Sequence, residues 1–217
     1  MLQRAISALA LIATTACATA TQQSPSSSVP SPSTAEQARA DSVRSAYTAA
    51  DVHFMTGMIH HHAQAVLIAG WAPTHDASQS LRALCERIVV GQRDEIGLMQ
   101  EWLRNRRLPV PEADPAGWRM TMSGQPHTMA MPGMLTADQM KELDAARGQE
   151  FDRLFLKYMI QHHEGAIAMV ERLFGSHGAA QDDLVFKFAS DVNVDQITEV
   201  EFMRRMLTAI PTAGNAP

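Results

Sequence analysis

The strongest constraint on the fold is that the chain repeats itself. Asp51, Phe54, Met58, Ile59, His61, His62 and Ala65 recur as Asp152, Phe155, Met159, Ile160, His162, His163 and Ala166, at a fixed offset of 101 residues. Farther on, Gln92, Glu95 and Met99 recur as Gln196, Glu199 and Met203 at an offset of 104. Three residues of loop length reconcile the two offsets. Each unit is therefore a pair of elements, and the chain holds two units.

All four elements read as helices. Phe54, Met58, His61 and Ala65 follow the helical period in the first. Leu81, Leu84, Ile88, Glu95, Met99, Trp102 and Leu103 do so in the second, which Pro109 and Pro111 stop. Thr136 and Gln139 form a capping box that opens a third helix, expected to run to about Phe174. Asp182 or Asp183 caps the fourth, which ends before Pro211. Short connections at 70–80 and 175–181 make antiparallel neighbours of each pair. Two hairpins with one apolar stripe each bury those stripes together. The expectation is an all-α, antiparallel four-helix bundle over residues 48–208, its halves related by an approximate twofold, with a long linker at 108–135 and a tail at 209–217.

The start of the chain reads as an address. Arg4 precedes an apolar run from Ala5 to Ala16 that is too short to span a membrane, as in a signal peptide of residues 1–20. Cys17 follows a loose lipoprotein cleavage box, so two processing outcomes stand open: a lipid anchor on Cys17, or cleavage near Ala18 or Ala20 and a free protein. Residues 21–47 are a Ser/Pro-rich linker and lead-in. Either outcome exports the folded part, to the periplasm or to a membrane tether. A net charge of −5 gives no basic surface for nucleic acid.

The doubled Asp-x-x-Phe-x-x-x-Met-Ile-x-His-His, each followed by Gln-x-x-Glu-x-x-x-Met, resembles domain of unknown function family 305 (DUF305) over nearly the whole chain after the lead-in. The resemblance implies a ferritin-like bundle. It also implies copper binding, since the family includes a periplasmic copper-binding protein. The halves differ at His60 and Ala63, whose counterparts are Gln161 and Glu164.

Residue chemistry points the same way. The chain carries 14 methionines, roughly three times ordinary usage, and nine histidines. Met58, His61 and His62 form a triangle on one helix face, and Met159, His162 and His163 repeat it. Glu95 and Met99, and Glu199 and Met203, lie one turn apart on the partner helices. Thioether, imidazole and carboxylate can thus converge once per repeat, a ligand set suited to a copper ion. Adjacent histidines twice over are more than a plain core needs, although each could instead hydrogen-bond a glutamate of the partner helix. The linker adds Met120, Met122, His127, Met129, Met131 and Met134, in a stretch that Gly124, Pro126, Pro132 and Gly133 keep out of regular helix. That segment is expected to be mobile until copper orders it. Cys85 reads as a small buried hydrophobe, His53 and His60 as surface or auxiliary groups, and Arg104, Arg106 and Arg107 as complements to a helix dipole that need no partner.

Two other readings compete with copper. One is a metal-free helical interaction module of the cell envelope. The other, a di-metal carboxylate oxidoreductase, lacks its Glu-x-x-His pairs, because Leu98 and Phe202 stand three residues after Glu95 and Glu199. A binding protein rather than an enzyme is expected.

Overall fold

The computed structural model describes Ser33 and residues 47–122 and 124–211. The segment read as a signal peptide, Cys17, most of the Ser/Pro-rich segment and the last six residues lie outside the described part. The elements in chain order are α1 (Ala49–Ala69), α2 (Gln79–Asn105), β1 (Trp118–Met122), β2 (Gln125–Met129), α3 (Ala137–Ala145), α4 (Gly148–Phe174) and α5 (Asp183–Ala209). Four long helices carry the bundle. α1 packs against α2, α4 against α5, and α1 against α4.

Three of the four long helices begin where a side chain satisfies free N–H groups; α4, after Arg147, has no such cap. Thr48 and Asp51 form a capping box on α1, Ser78 caps α2, and Asp182 caps α5 by accepting from Leu184 and Val185. Cores form at both ends of the bundle. One gathers Phe54, Met58, Met99, Trp102 and Phe188; the other gathers Leu81, Leu84, Phe155, Met159 and Met203.

The repeated aspartates tie the halves together. Asp51 Oδ1 of α1 accepts the Ala180 N–H of the second hairpin's loop at 2.7 Å. Its counterpart Asp152 of α4 accepts the Ser78 N–H of the first hairpin's loop at 3.1 Å. Each half thus anchors the other's turn through a buried charged acceptor, the stronger kind of hydrogen bond.

Three expectations need correction. The third helix is not continuous from Thr136 to Phe174; it breaks between Ala145 and Gly148 into α3 and α4. Ala146 is extended, Gly148 adopts φ +58°, and the Gly148 N–H is taken by His75 O. A buried His75, stacked on Trp71 and reaching Asp144 with Nε2, holds that corner. Arg106 is not a free dipole complement: it pairs with buried Asp182 and lies over the Trp102 ring. His60 is buried, with Nδ1 bonded to Asp114 O at 3.2 Å.

The linker is built rather than featureless. β1 and β2 form an antiparallel hairpin in which Met120 faces His127 and Trp118 faces Met129. Residues 131–135 then run as a strap across α1 and α4. Gln64 binds both the N–H and the carbonyl of Leu135, Gln161 binds Gly133 O, and Met131 and Met134 are buried. The strap fits because Gly165 has no side chain: a Cβ there would stand 2.0 Å from Pro132 O. Gln64 and Gly165 occupy equivalent positions, so the repeat departs from itself where the strap passes. His60 and Gln161, also equivalent, hold the linker at Asp114 and Gly133.

Candidate metal centre

Where α1 and α4 cross, His61 and His162 lie ring against ring, with centroids 3.8 Å apart. They are counterparts in the repeat. A residue can touch its own counterpart only on the axis that relates the halves, so the pseudo-twofold passes between these two imidazoles. His62 and His163 flank them, at 6.3 and 6.2 Å from His61 and His162. All four side chains are fully buried.

The hydrogen bonds fix tautomers. His61 Nε2 stands 3.0 Å from Pro132 O in the strap. A carbonyl only accepts, so Nε2 carries the proton and Nδ1 keeps a bare lone pair. His163 Nε2 likewise donates to Glu199 Oε2 at 2.7 Å. In the first half, His62 Nε2 and Glu95 Oε2 are also 2.7 Å apart, without hydrogen-bond alignment. Among the described residues the Nδ1 atoms of His61 and His163 have no partner, and neither ring nitrogen of His62 or His162 has one, so the hydrogen bonds leave those two tautomers open. Burial, with neighbouring His62 second, pushes His61 down to about 3, and its bond to Pro132 offsets only part of this. Burial, then His61 and His163, holds His162 well below the ordinary histidine range. These two imidazoles are neutral at physiological pH, the form that binds metals.

The methionines of the motif divide. Met58 and Met99 are buried in one core, Met159 and Met203 in the other, on opposite sides of the histidine cluster. The expected donors are thus arranged as a central histidine group with a thioether pair toward each end. Among the described residues, no three His, Cys, Asp or Glu side chains form a ready-made ligand sphere. Of the linker residues, Met131 and Met134 join the first core. Met120 and His127 sit opposite one another on the hairpin, Met129 is exposed, and Met122 lies on β1. Cys85 is buried, and that burial pushes its thiol up to about 12, so it is no ready thiolate ligand.

Sequence reasoning missed Gln92 and Gln196 as site residues although both belong to the repeat. Both are buried beside the glutamates, and the Oε1 of each has no partner among the described residues. Their recurrence at the 104-residue offset was the available signal.

The family model described as "Domain of unknown function (DUF305)" matches residues 51–207. No curated protein matches the chain. Among solved structures, a DUF305 protein from Streptomyces coelicolor is 28% identical, covers 73% of this chain and 92% of its own, and superposes with a TM-score of 0.61. A DUF305 fragment from Deinococcus radiodurans is 25% identical over 75% of this chain and 97% of its own, with a TM-score of 0.61. CopM in its Cu(I)-bound form is 25% identical over 73% of this chain and 95% of its own, with a TM-score of 0.55. CopM also matches in Cu(II)- and Ag-bound forms. With the doubled motif, the helical bundle and a match over more than half of its length, the chain belongs to the DUF305 family.

Proposed function

We propose that the chain is an exported copper-binding protein that carries the ion as cargo, for storage, delivery or tolerance, on Met/His donors of its bundle. The observation that carries this reading is the set of four buried imidazoles with ring nitrogens that have no hydrogen-bond partner among the described residues, His61 and His163 with Nδ1 left as the acceptor. A buried polar atom without a partner costs about 1–3 kcal/mol, and a metal ion would remove that cost. Committing the other ring nitrogen to a carbonyl or a carboxylate, as His61 and His163 do, is the arrangement that orients metal-binding histidines. Beyond the Glu95 and Glu199 carboxylates at the rings, the motif's other donors are the thioethers of the two adjoining cores, and these favour a soft ion.

His61, His62, His162 and His163 would supply the imidazoles, with Met58 and Met99 on one side and Met159 and Met203 on the other. Glu95 and Glu199 would orient His62 and His163 or add a carboxylate. Met120, Met122, His127 and Met129 of the hairpin would offer a second donor group, in which His127 and Met129 are exposed, and Met131 and Met134 would add thioethers from the first core. CopM, a family relative of the same fold, is known with Cu(I), Cu(II) and Ag bound. The signal-like start, with or without a lipid on Cys17, would place the bundle outside the cytoplasm; the Streptomyces coelicolor relative is described as a predicted secreted protein.

A metal-free helical module is the second reading. It is favoured by the lack of three His, Cys, Asp or Glu side chains gathered for a metal among the described residues. The two separate on metal analysis of the purified chain after exposure to copper with zinc and iron as competitors. Retained copper in preference to both supports the proposal. No retained copper, or a preference for zinc or iron, overturns it.

A further inference from the structure

His61, His62, His162 and His163 have no exposed surface, so an ion held there has to cross the wall of the bundle. On one side the strap at 131–135 closes over α1 and α4, pinned by Gln64 and Gln161. On the other, α2 and α5 stand apart across a groove of about 370 Å³. We propose that this groove is the passage by which a soft monovalent cation, Cu(I) or Ag(I), reaches and leaves the histidine cluster, with Glu95 and Glu199 as its inner gate. The inference rests on the copper reading above.

Glu95 and Glu199 line the groove and are each about a quarter exposed, yet each sets one carboxylate oxygen 2.7 Å from a fully buried imidazole. Both side chains therefore touch solvent as well as the cluster. Next to them, Gln92 and Gln196 line the same groove at 5% and 4% exposure, and the Oε1 atom of each lacks a partner. Two repeat-equivalent amide oxygens beside the groove thus have no partner among the described residues, and a cation passing there would be a ligand for them.

Charge in the groove is sorted along its length. Asp195 lies among Glu95, Glu199 and Asp191, and burial together with these neighbours holds its carboxyl above the ordinary range. Lys187 pairs with Asp191 on the exposed face of α5. The two arginines of the groove, Arg87 and Arg205, both lie over the ring of Phe202. One stretch is therefore lined by carboxylates and amide oxygens, which draw a cation in. Oxygen donors hold a soft ion weakly compared with thioether and imidazole. That ranking suits passage rather than storage, with the stronger ligands at the inner end.

Glycines provide the test. A Cβ on Gly91, which lines the groove, meets nothing within 4 Å, and the same holds for Gly97, which does not line it. Gly91→Trp would therefore fill the groove without a backbone clash, and Gly97→Trp on the same helix is its control. The chain is loaded with Cu(I), and release to saturating bicinchoninate is followed by absorbance, alongside the bound stoichiometry at equilibrium. The expected result is release slowed by about tenfold in Gly91→Trp at unchanged stoichiometry, with Gly97→Trp near wild type. Asp195→Asn, which keeps the shape, should slow uptake of Ag(I) severalfold and flatten its dependence on ionic strength. Equal release rates in the two tryptophan variants, or, should Gly91→Trp not fold, unchanged uptake in Asp195→Asn, would overturn the passage while leaving copper binding intact. A wild-type chain that takes up neither ion would overturn the copper reading, and the passage with it.

Discussion

Asp182 shows how one residue fixes one end of the bundle. Its carboxylate caps α5, accepts the Trp102 indole N–H at 3.1 Å, and pairs with Arg106. Asp182 and Arg106 are both nearly buried, so removing one leaves an uncompensated charge. Asp182→Ala should cost about 3–5 kcal/mol in chemical denaturation; a loss under about 1 kcal/mol, the worth of a cap alone, would show that Arg106 finds water instead. The cap was legible in the sequence, but the ion pair was not, because a helix-end arginine carries no mark of the hairpin it will meet. His61 shows the same limit. Spacing placed it on the inner face, but only packing reveals that it stacks on its own counterpart and is held down to about 3. The unfolded chain takes up a proton near the ordinary histidine value of about 6.5, while the native site resists it. Stability is therefore complete above that value and declines as pH falls from about 6.5 toward 3. Melting curves of the metal-free chain should show Tm dropping from pH 7 to pH 5, and a flat profile would mean that the cluster accepts protons readily.

At the scale of elements, helix periodicity carried the four long helices, while the segment between the hairpins was readable only as non-helical. Sequence showed Gly and Pro breaking the helix at 120–134, but not that Met120 and His127 would pair across strands. Nor did it show that the strap would close over the histidines. Non-local hydrogen bonds from Gln64 and Gln161 decide that placement. The break at Gly148 was invisible for the same reason, since its N–H is taken by the distant His75 carbonyl. The strap's seat can be probed at Gly165, where a methyl would collide with Pro132 backbone atoms. Gly165→Ala should destabilise the fold by about 1–3 kcal/mol, the usual range for overpacking. It should also speed hydrogen exchange at the Leu135 amide, now held by Gln64. Unchanged exchange at Leu135 would mean that the strap keeps its seat.

For the whole molecule, duplication explains why the histidines meet. Two equivalent hairpins packed about a twofold bring equivalent residues together only at the axis, and the doubled His-His sits there. The offsets of 101 and 104 made the twofold legible; the point where the axis would pass was not, because that depends on the crossing of α1 and α4. Reading the motif as one site per repeat therefore understates the contact between halves. Copper bound on one side would lie against imidazoles of the other. The central claim, that the buried histidines hold copper rather than merely fill the core, is tested most directly by measuring bound Cu(I) and Tm on one variant, His61→Gln with His62→Gln. If these imidazoles are ligands, at least half of the bundle-bound copper is lost. If they are core residues only, Tm falls because the Pro132 carbonyl loses its donor His61, at a cost of about 1–3 kcal/mol, and bound copper stays at the wild-type level, which would contradict the account.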